Sequence, residues 1–357
     1  MRRLRLIGLF AAAVAYLALN VPNLGDPHPA VAFLAADAAL DVTQEMTIGF
    51  GFGVDRIGGV RHDESGTDVG ETTRQFATLR NLRTSHPGGL SVFTQTPELL
   101  AGSLAETVES GTPVVAVDSP PAAGSEVSLY VGNNNYLLGT MLAEQAAGRL
   151  PAATAGVIVL GTSVPGAPGL DLRVAGIRDE LRLRLPHARV LGPFDTKQDP
   201  VANRAAWRIL VAANPGAVAF LGTGDADAYN LASIRAKTGG SWVGGGFSLD
   251  GRALRAVRAG DIVLVSPEPF LQGAVAGMLQ AAYAKNGSPL PRGWIVTPGL
   301  RITEDNVGAV QARQQTLGSR AHWFARLADV IVARPEAYLR PLDVVGCPSI
   351  HAEAGCQ

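Results

Sequence analysis

The most suggestive chemistry in this sequence is a set of polar residues that follow short apolar runs. Asp37 and Asp41, Thr94 to Thr96, Asp118-Ser119, Thr162-Ser163, Asp225, and Ser248 with Asp250 all stand in that position. Carboxylates and hydroxyls present several hydrogen-bonding positions in fixed geometry, which suits a polar guest. Each residue alone also reads as a cap or a turn. Asp225 and Asp227 could serve as an acid–base pair. An N-cap with a first-turn acid explains them more simply.

Other constellations are weak. Gly49-Phe50-Gly51-Phe52-Gly53 invites a dinucleotide reading, but that fingerprint needs a strand directly before it, and Thr43–Met46 reads as helix. Gly222-Thr223-Gly224 follows a strand and opens a helix, where backbone N–H groups can meet a polar ligand. It lacks the third Gly and the Lys-Ser/Thr of a phosphate loop. There is no G-x-S-x-G, and the six His are scattered. No H-E-x-x-H or cysteine cluster points to a metal, and no cofactor is expected. Cys347 and Cys356 close to the end of the chain are expected to pair as a disulfide if the chain is exported.

The elements that must position these residues alternate. Apolar strand candidates at Ala30–Ala36, Leu90–Phe93, Val114–Val117, Leu129–Val131, Gly156–Leu160, Ala217–Leu221, Trp242–Gly244 and Asp261–Val265 are separated by helical stretches. Val190–Leu191 is a further strand candidate and Val60–His62 a weaker one. Such alternation predicts parallel sheets with helices on both faces. The 357 residues exceed one sheet, so two lobes are expected. After Asp305 the pattern lapses; Ala321–Val332 reads as helix and the rest as an irregular tail.

Bulk properties narrow the partners. Thirty Lys+Arg against 31 Asp+Glu give a net charge of −1, which provides no field for nucleic acid. Arg2, Arg3 and Arg5 precede an apolar run from Leu6 to Val21. That run is shorter than the roughly 20 residues of a bilayer span, so residues 1–25 read as a signal peptide, with a retained anchor as the alternative.

Several motifs together resemble a known family. Thr112-Pro-Val-Val-Ala-Val-Asp118-Ser119, followed by Val131-Gly-Asn-Asn-Asn-Tyr-Leu-Leu-Gly139, closely resembles the ribose/galactose-type periplasmic binding proteins of ABC transporters. Arg173-Val-Ala-Gly-Ile-Arg, Val243-Gly-Gly-Gly-Phe247-Ser248, Glu268-Pro-Phe-Leu-Gln-Gly273 and Thr297-Pro-Gly-Leu-Arg-Ile-Thr303 follow in the family's order, over residues 30–305. The resemblance implies an α/β fold of two doubly wound parallel-sheet lobes joined by a multi-strand hinge, the type I periplasmic binding protein arrangement, with an extra C-terminal tail. It divides the chain into residues 27–127 with 266–297, residues 128–265 with 298–304, and an extension over 305–357. It implies ligand contacts from Asp37, Asp41, Thr96, Asp118, Arg173, Asp225, Phe247 and Glu268. The loop from Asp37 to Asp41 lacks the family's aromatics, Ser248 stands where Asp is common, and Pro267 or Glu268 stands where Gln is usual.

The expected protein is therefore an exported, monomeric, non-catalytic receptor. Its partners would be a sugar or polyol and a membrane permease, with no nucleic acid. A sensor presenting a sugar or autoinducer-like molecule to a membrane receptor is the alternative. A transcription-regulator effector domain would need a helix-turn-helix where Leu6–Val21 stands, and an enzyme would need a reactive constellation.

Overall fold

The computed structural model describes residues 29–68, 72–85 and 88–345. The expected leader over 1–25 and the Cys347–Cys356 pair lie outside the described residues.

The chain runs β1 (Ala30–Ala35), α1 (Asp41–Ile57), β2 (Arg61–Gly66), α2 (Thr72–Ser85), β3 (Leu90–Phe93), α3 (Pro97–Glu109), β4 (Val114–Val117) and β5 (Leu129–Gly132). It continues through α4 (Asn135–Ala147), β6 (Val157–Thr162), α5 (Pro168–Arg184), β7 (Arg189–Asp195), α6 (Pro200–Ala213), β8 (Ala217–Gly222), α7 (Asp225–Thr238), β9 (Val243–Phe247), α8 (Gly251–Arg258) and β10 (Ile262–Ser266). It then returns through α9 (Pro269–Asn286) and β11 (Gly293–Val296), crosses to β12 (Leu300–Ile302), and ends in α10 (Val307–Arg313), α11 (Leu317–Ala333) and β13 (Leu339–Arg340).

Two sheets result. The first has the order β13-β11-β5-β4-β3-β1-β2, and the second β12-β10-β9-β8-β6-β7. All pairings are parallel except β11 with β13 and β10 with β12. Inner strands such as Ala30–Ala35 are buried at every position, as a sheet covered on both faces requires. In the first sheet Phe33, Val115 and Val131 pack under α1, α9 and α11, while Leu34, Leu90 and Tyr130 pack on the opposite side. In the second, Leu160 and Leu221 pack with residues of α4 and α5, and Phe220 packs with Trp207 and Trp242.

Two departures from the sequence reading matter. Strand β5, expected to open the second lobe, is hydrogen-bonded between β4 and β11 in the first sheet. The chain therefore leaves that sheet after Gly132, because the four apolar, fully buried residues of β5 complete its centre. The extension after Asp305 is not simply a helix with an irregular tail: α10 packs on α8, α11 on α9 and α1, and β13 adds an edge strand to β11. The chain thus passes between the two bodies four times, after Gly132, after Ser266, after Val296 and between α10 and α11. Asn133 ties three of these passages, donating through Nδ2 to Thr297 O (2.9 Å) and accepting from Gln272 Nε2 (2.8 Å), which also donates to Pro267 O.

Candidate functional site

In parallel sheets the strand carboxyl ends form the natural binding edge. Here those of both sheets line one cleft. Phe93 at the end of β3, Gln95 just beyond it, Asp118 after β4, and Asp41 and Glu45 on α1 come from the first sheet's side, and Pro267 stands where the chain crosses from β10 to α9. Ser163 after β6, Arg173 on α5, Gln198 after β7, Asp225 at the start of α7, and Phe247 and Ser248 at the end of β9 come from the other. The cleft contains about 700 Å³ of empty space, its open mouth included.

Arg173 is the central cation. Its Nε donates to Asn135 Oδ1 at 2.8 Å and its Nη1 to Thr223 O at 3.0 Å. Its guanidinium carbon stands 4.4 Å from the centre of the Phe247 ring. A desolvated stack of this kind contributes roughly 2 kcal/mol. Gly139 on α4 makes the placement possible: a Cβ there would overlap the Arg173 carbonyl oxygen. Burial pulls the Arg173 pKa down, with Asp118 and Asp225 opposing.

Asp118 sits at φ 60°, a left-handed conformation that non-glycine residues seldom adopt. The Tyr130 hydroxyl donates to its carbonyl oxygen at 2.8 Å and helps fix this turn. Its carboxyl is aimed inward, and Oδ1 is shut from solvent without a hydrogen-bond partner. Burial pushes the carboxyl up, while Arg173 and Gln272 pull it down. Strain at one residue, a buried unpaired acceptor and an adjacent fixed cation mark a place built to meet a ligand.

Asp225 bridges the cleft. Helix α1 has Leu40 at its N-cap and so no side-chain cap of its own. The Asp225 carboxyl accepts from the backbone N–H groups of Asp41 and Val42 instead, capping a helix of the opposite lobe. Burial, with Asp41 and Asp250 close by, pushes its pKa up to about 8. Gln198 makes a second bridge, donating to Asp37 Oδ2 at 2.7 Å. Burial also raises Asp41, with Asp250 adding to it. Burial would raise Asp250 too, but hydrogen bonds from Arg252 bring it below its ordinary value.

Beneath the cleft lies Asp227, fully buried. It accepts from Thr196 Oγ1 (2.9 Å), Asn203 Nδ2 (2.6 Å), Trp207 Nε1 (2.7 Å) and Gly224 N (2.8 Å). With four donors it fixes the loops that carry Asp225 and Gln198. This disposes of the acid–base reading of Asp225/Asp227: one faces the cleft and the other is walled off.

Of the residues anticipated from the resemblance, Asp41, Asp118, Arg173, Asp225 and Phe247 line the cleft. Asp37 stands behind it, engaged with Gln198. Thr96 is the N-cap of α3, and its backbone N–H bonds to Thr94 Oγ1. Glu268 faces elsewhere: both its oxygens accept from Arg313, at 2.6 and 2.7 Å, and the two side chains are 6% and 1% exposed. That ion pair ties the hinge to the extension. Phe93 and Gln198 were not anticipated, and Gln95 only as part of the polar stretch from Thr94 to Thr96. Phe93 supplies an aromatic face that the loop from Asp37 to Asp41 lacks, and its only sequence signal is that it ends an apolar strand. Among the described residues no group of acids, His or Cys could hold a metal ion, and no helix is long and apolar enough to cross a membrane.

Residues 35–288 match the family model described as periplasmic binding protein domain. No curated protein matches the chain by sequence. Several solved structures share the fold. A solute-binding protein of an ABC transporter from Burkholderia graminis, in complex with D-arabinose, is 20% identical with a TM-score of 0.72, over 79% of this chain and 98% of its own. One from Agrobacterium vitis with bound D-fucose is 17% identical with a TM-score of 0.72, over 78% and 96%. A periplasmic ribose ABC transporter protein from Conexibacter woesei is 21% identical with a TM-score of 0.68, over 80% and 95%.

Proposed function

This chain belongs to the periplasmic binding protein domain family, and from that premise we propose that it is the exported substrate-binding component of an ABC-type importer, taking a sugar in its cleft. The observation that carries this reading is Asp118 Oδ1, buried and unpaired beside the fixed Arg173 guanidinium. A sugar hydroxyl gives its proton to Asp118 and accepts from Arg173, so one group satisfies both. Phe93 and Phe247 offer apolar faces to the C–H side of a ring. The role assigned is binding without turnover: Asp225 caps α1, Glu45 lies beside Arg320, and Asp118 is left to meet the ligand.

The two lobes each give part of the ligand's hydrogen-bond set, so the ligand favours the closed arrangement by its differential contacts. The closed pair of lobes is then what a membrane permease recognises. A cleft closed around a small polar solute needs no second copy of the chain, so we assign a monomer.

Calorimetric titration with pentoses and hexoses tests the reading. At least one should bind, and Asp118→Ala should lower its affinity at least tenfold, as loss of a charged hydrogen bond worth about 1.5–3 kcal/mol requires. Undiminished binding in that variant would remove Asp118 from the site.

A further inference from the structure

The cleft does not end at its mouth. Asp41, Glu45 and Leu249 line it and also line a wider depression beside it. That depression contains about 1460 Å³ of empty space, open solvent included. Its far wall is the C-terminal extension, through Gln311, Gln314, Gln315 and Arg320, and Gln44 faces it from α1.

Three polar atoms on these lining side chains are buried and have no hydrogen-bond partner: Glu45 Oε2, Gln314 Oε1 and Arg320 Nε. The three side chains are otherwise fixed. Gln314 Nε2 donates to Glu45 Oε1 at 3.0 Å, Arg320 Nε lies 3.4 Å from the same oxygen, and Arg320 Nη2 donates to Gln314 O at 3.1 Å. Glu45 itself is only 9% exposed. Buried polar atoms are rarely left unmatched. Here two acceptors, Glu45 Oε2 and Gln314 Oε1, stand unmatched together beside one path out of the cleft, and Arg320 Nε has only its ion pair with Glu45.

A hydroxyl both gives and accepts a proton, so a run of hydroxyls matches this set and the glutamine amides around it. Asp41 and Glu45 stand where the two chambers meet and disfavour an anion at that junction, while Arg255 and Arg258 on the wall of the depression offer further donors to hydroxyls. We propose that the depression is a second saccharide subsite, and that the ligand is a disaccharide or other glycoside with one ring in the cleft and the next against the extension. This rests on the sugar-binding reading above and narrows it from a single ring to a linked pair.

The test is calorimetric titration of the full chain with xylose, arabinose, galactose and glucose, and with xylobiose, arabinobiose, lactose, melibiose and maltose. At least one disaccharide should bind tenfold or more tightly than either of its component rings. The double variant Gln311→Ala/Gln315→Ala changes two side chains outside the core. It should lower disaccharide affinity at least fivefold, leave monosaccharide affinity within twofold, and leave the melting temperature unchanged. A monosaccharide that binds as tightly as every disaccharide would overturn the second subsite, as would a double variant that weakens both kinds of sugar alike. Failure of all nine sugars to bind would overturn the sugar-binding reading itself, and the subsite with it.

Discussion

Asp225 carries an acid whose pKa lies near neutrality, and its titration has a definite sign. The folded chain holds its proton up to about 8, against an ordinary 3.8. Between those values the folded state binds more proton than the unfolded state, so the stabilising contribution is complete below 3.8 and is lost as pH rises through about 8. Melting temperatures taken from pH 5 to pH 8.5 should fall with rising pH, and Asp225→Asn should flatten that slope. An unchanged slope in the variant would place the titration elsewhere in the Asp41, Asp250 and Arg252 group. At this scale the sequence was informative where a polar residue directly follows a buried strand, as Asp118 does. It misled at Glu268, whose partner Arg313 stands 45 positions on in a stretch with no legible pattern. Nothing in residue type alone separates a carboxylate that awaits a ligand from one already paired with Arg.

At the scale of elements, the glycines of α1 have a structural explanation. In the sequence Gly49 and Gly53 only invite a dinucleotide fingerprint that lacks its strand. The structure instead presses this face onto α9, where a Cβ on Gly49 would overlap the Phe270 carbonyl oxygen. Gly49→Ala should therefore cost about 1–3 kcal/mol by overpacking, despite the roughly 1 kcal/mol that Ala gains in an open helix. Gly102→Ala on α3, where the added Cβ meets nothing within 4 Å, should show that gain, and urea midpoints of the two variants should move in opposite directions. The Glu268–Arg313 pair makes a second prediction. Either Glu268→Gln or Arg313→Met leaves one buried charge uncompensated and should cost about 3–5 kcal/mol, whereas the double variant should cost markedly less than their sum. Strand β2 was hard to delimit because it is a sheet edge of polar residues, Arg61 to Gly66. Strand β13 is two residues long and has no periodicity to read.

At the scale of the molecule, the alternation of apolar runs with helices made two parallel sheets legible. Where the chain changes sheets was not legible, because β5 differs in no local way from a strand of the second lobe. Contacts that span the cleft, from Asp225 to α1 and from Gln198 to Asp37, hold the arrangement closed. They are few, so the protein without sugar should sample wider forms, and a saturating sugar should lower the radius of gyration measured by small-angle scattering. An unchanged radius would mean that the lobes do not move.

The interleaving of the two sheets along the chain also dictates an order of assembly. The second sheet draws on one nearly continuous stretch and lacks only β12 when Ser266 has been made. The first must wait for Phe270, Phe324 and Ile331 to fill its interior and for Arg340 to finish its edge. Distant partners are the slow ones to find. In refolding followed by pulsed hydrogen exchange, amides of β6 and β8 should gain protection before those of β1 and β3, and a nascent chain should carry its later-encoded half as the earlier folded one.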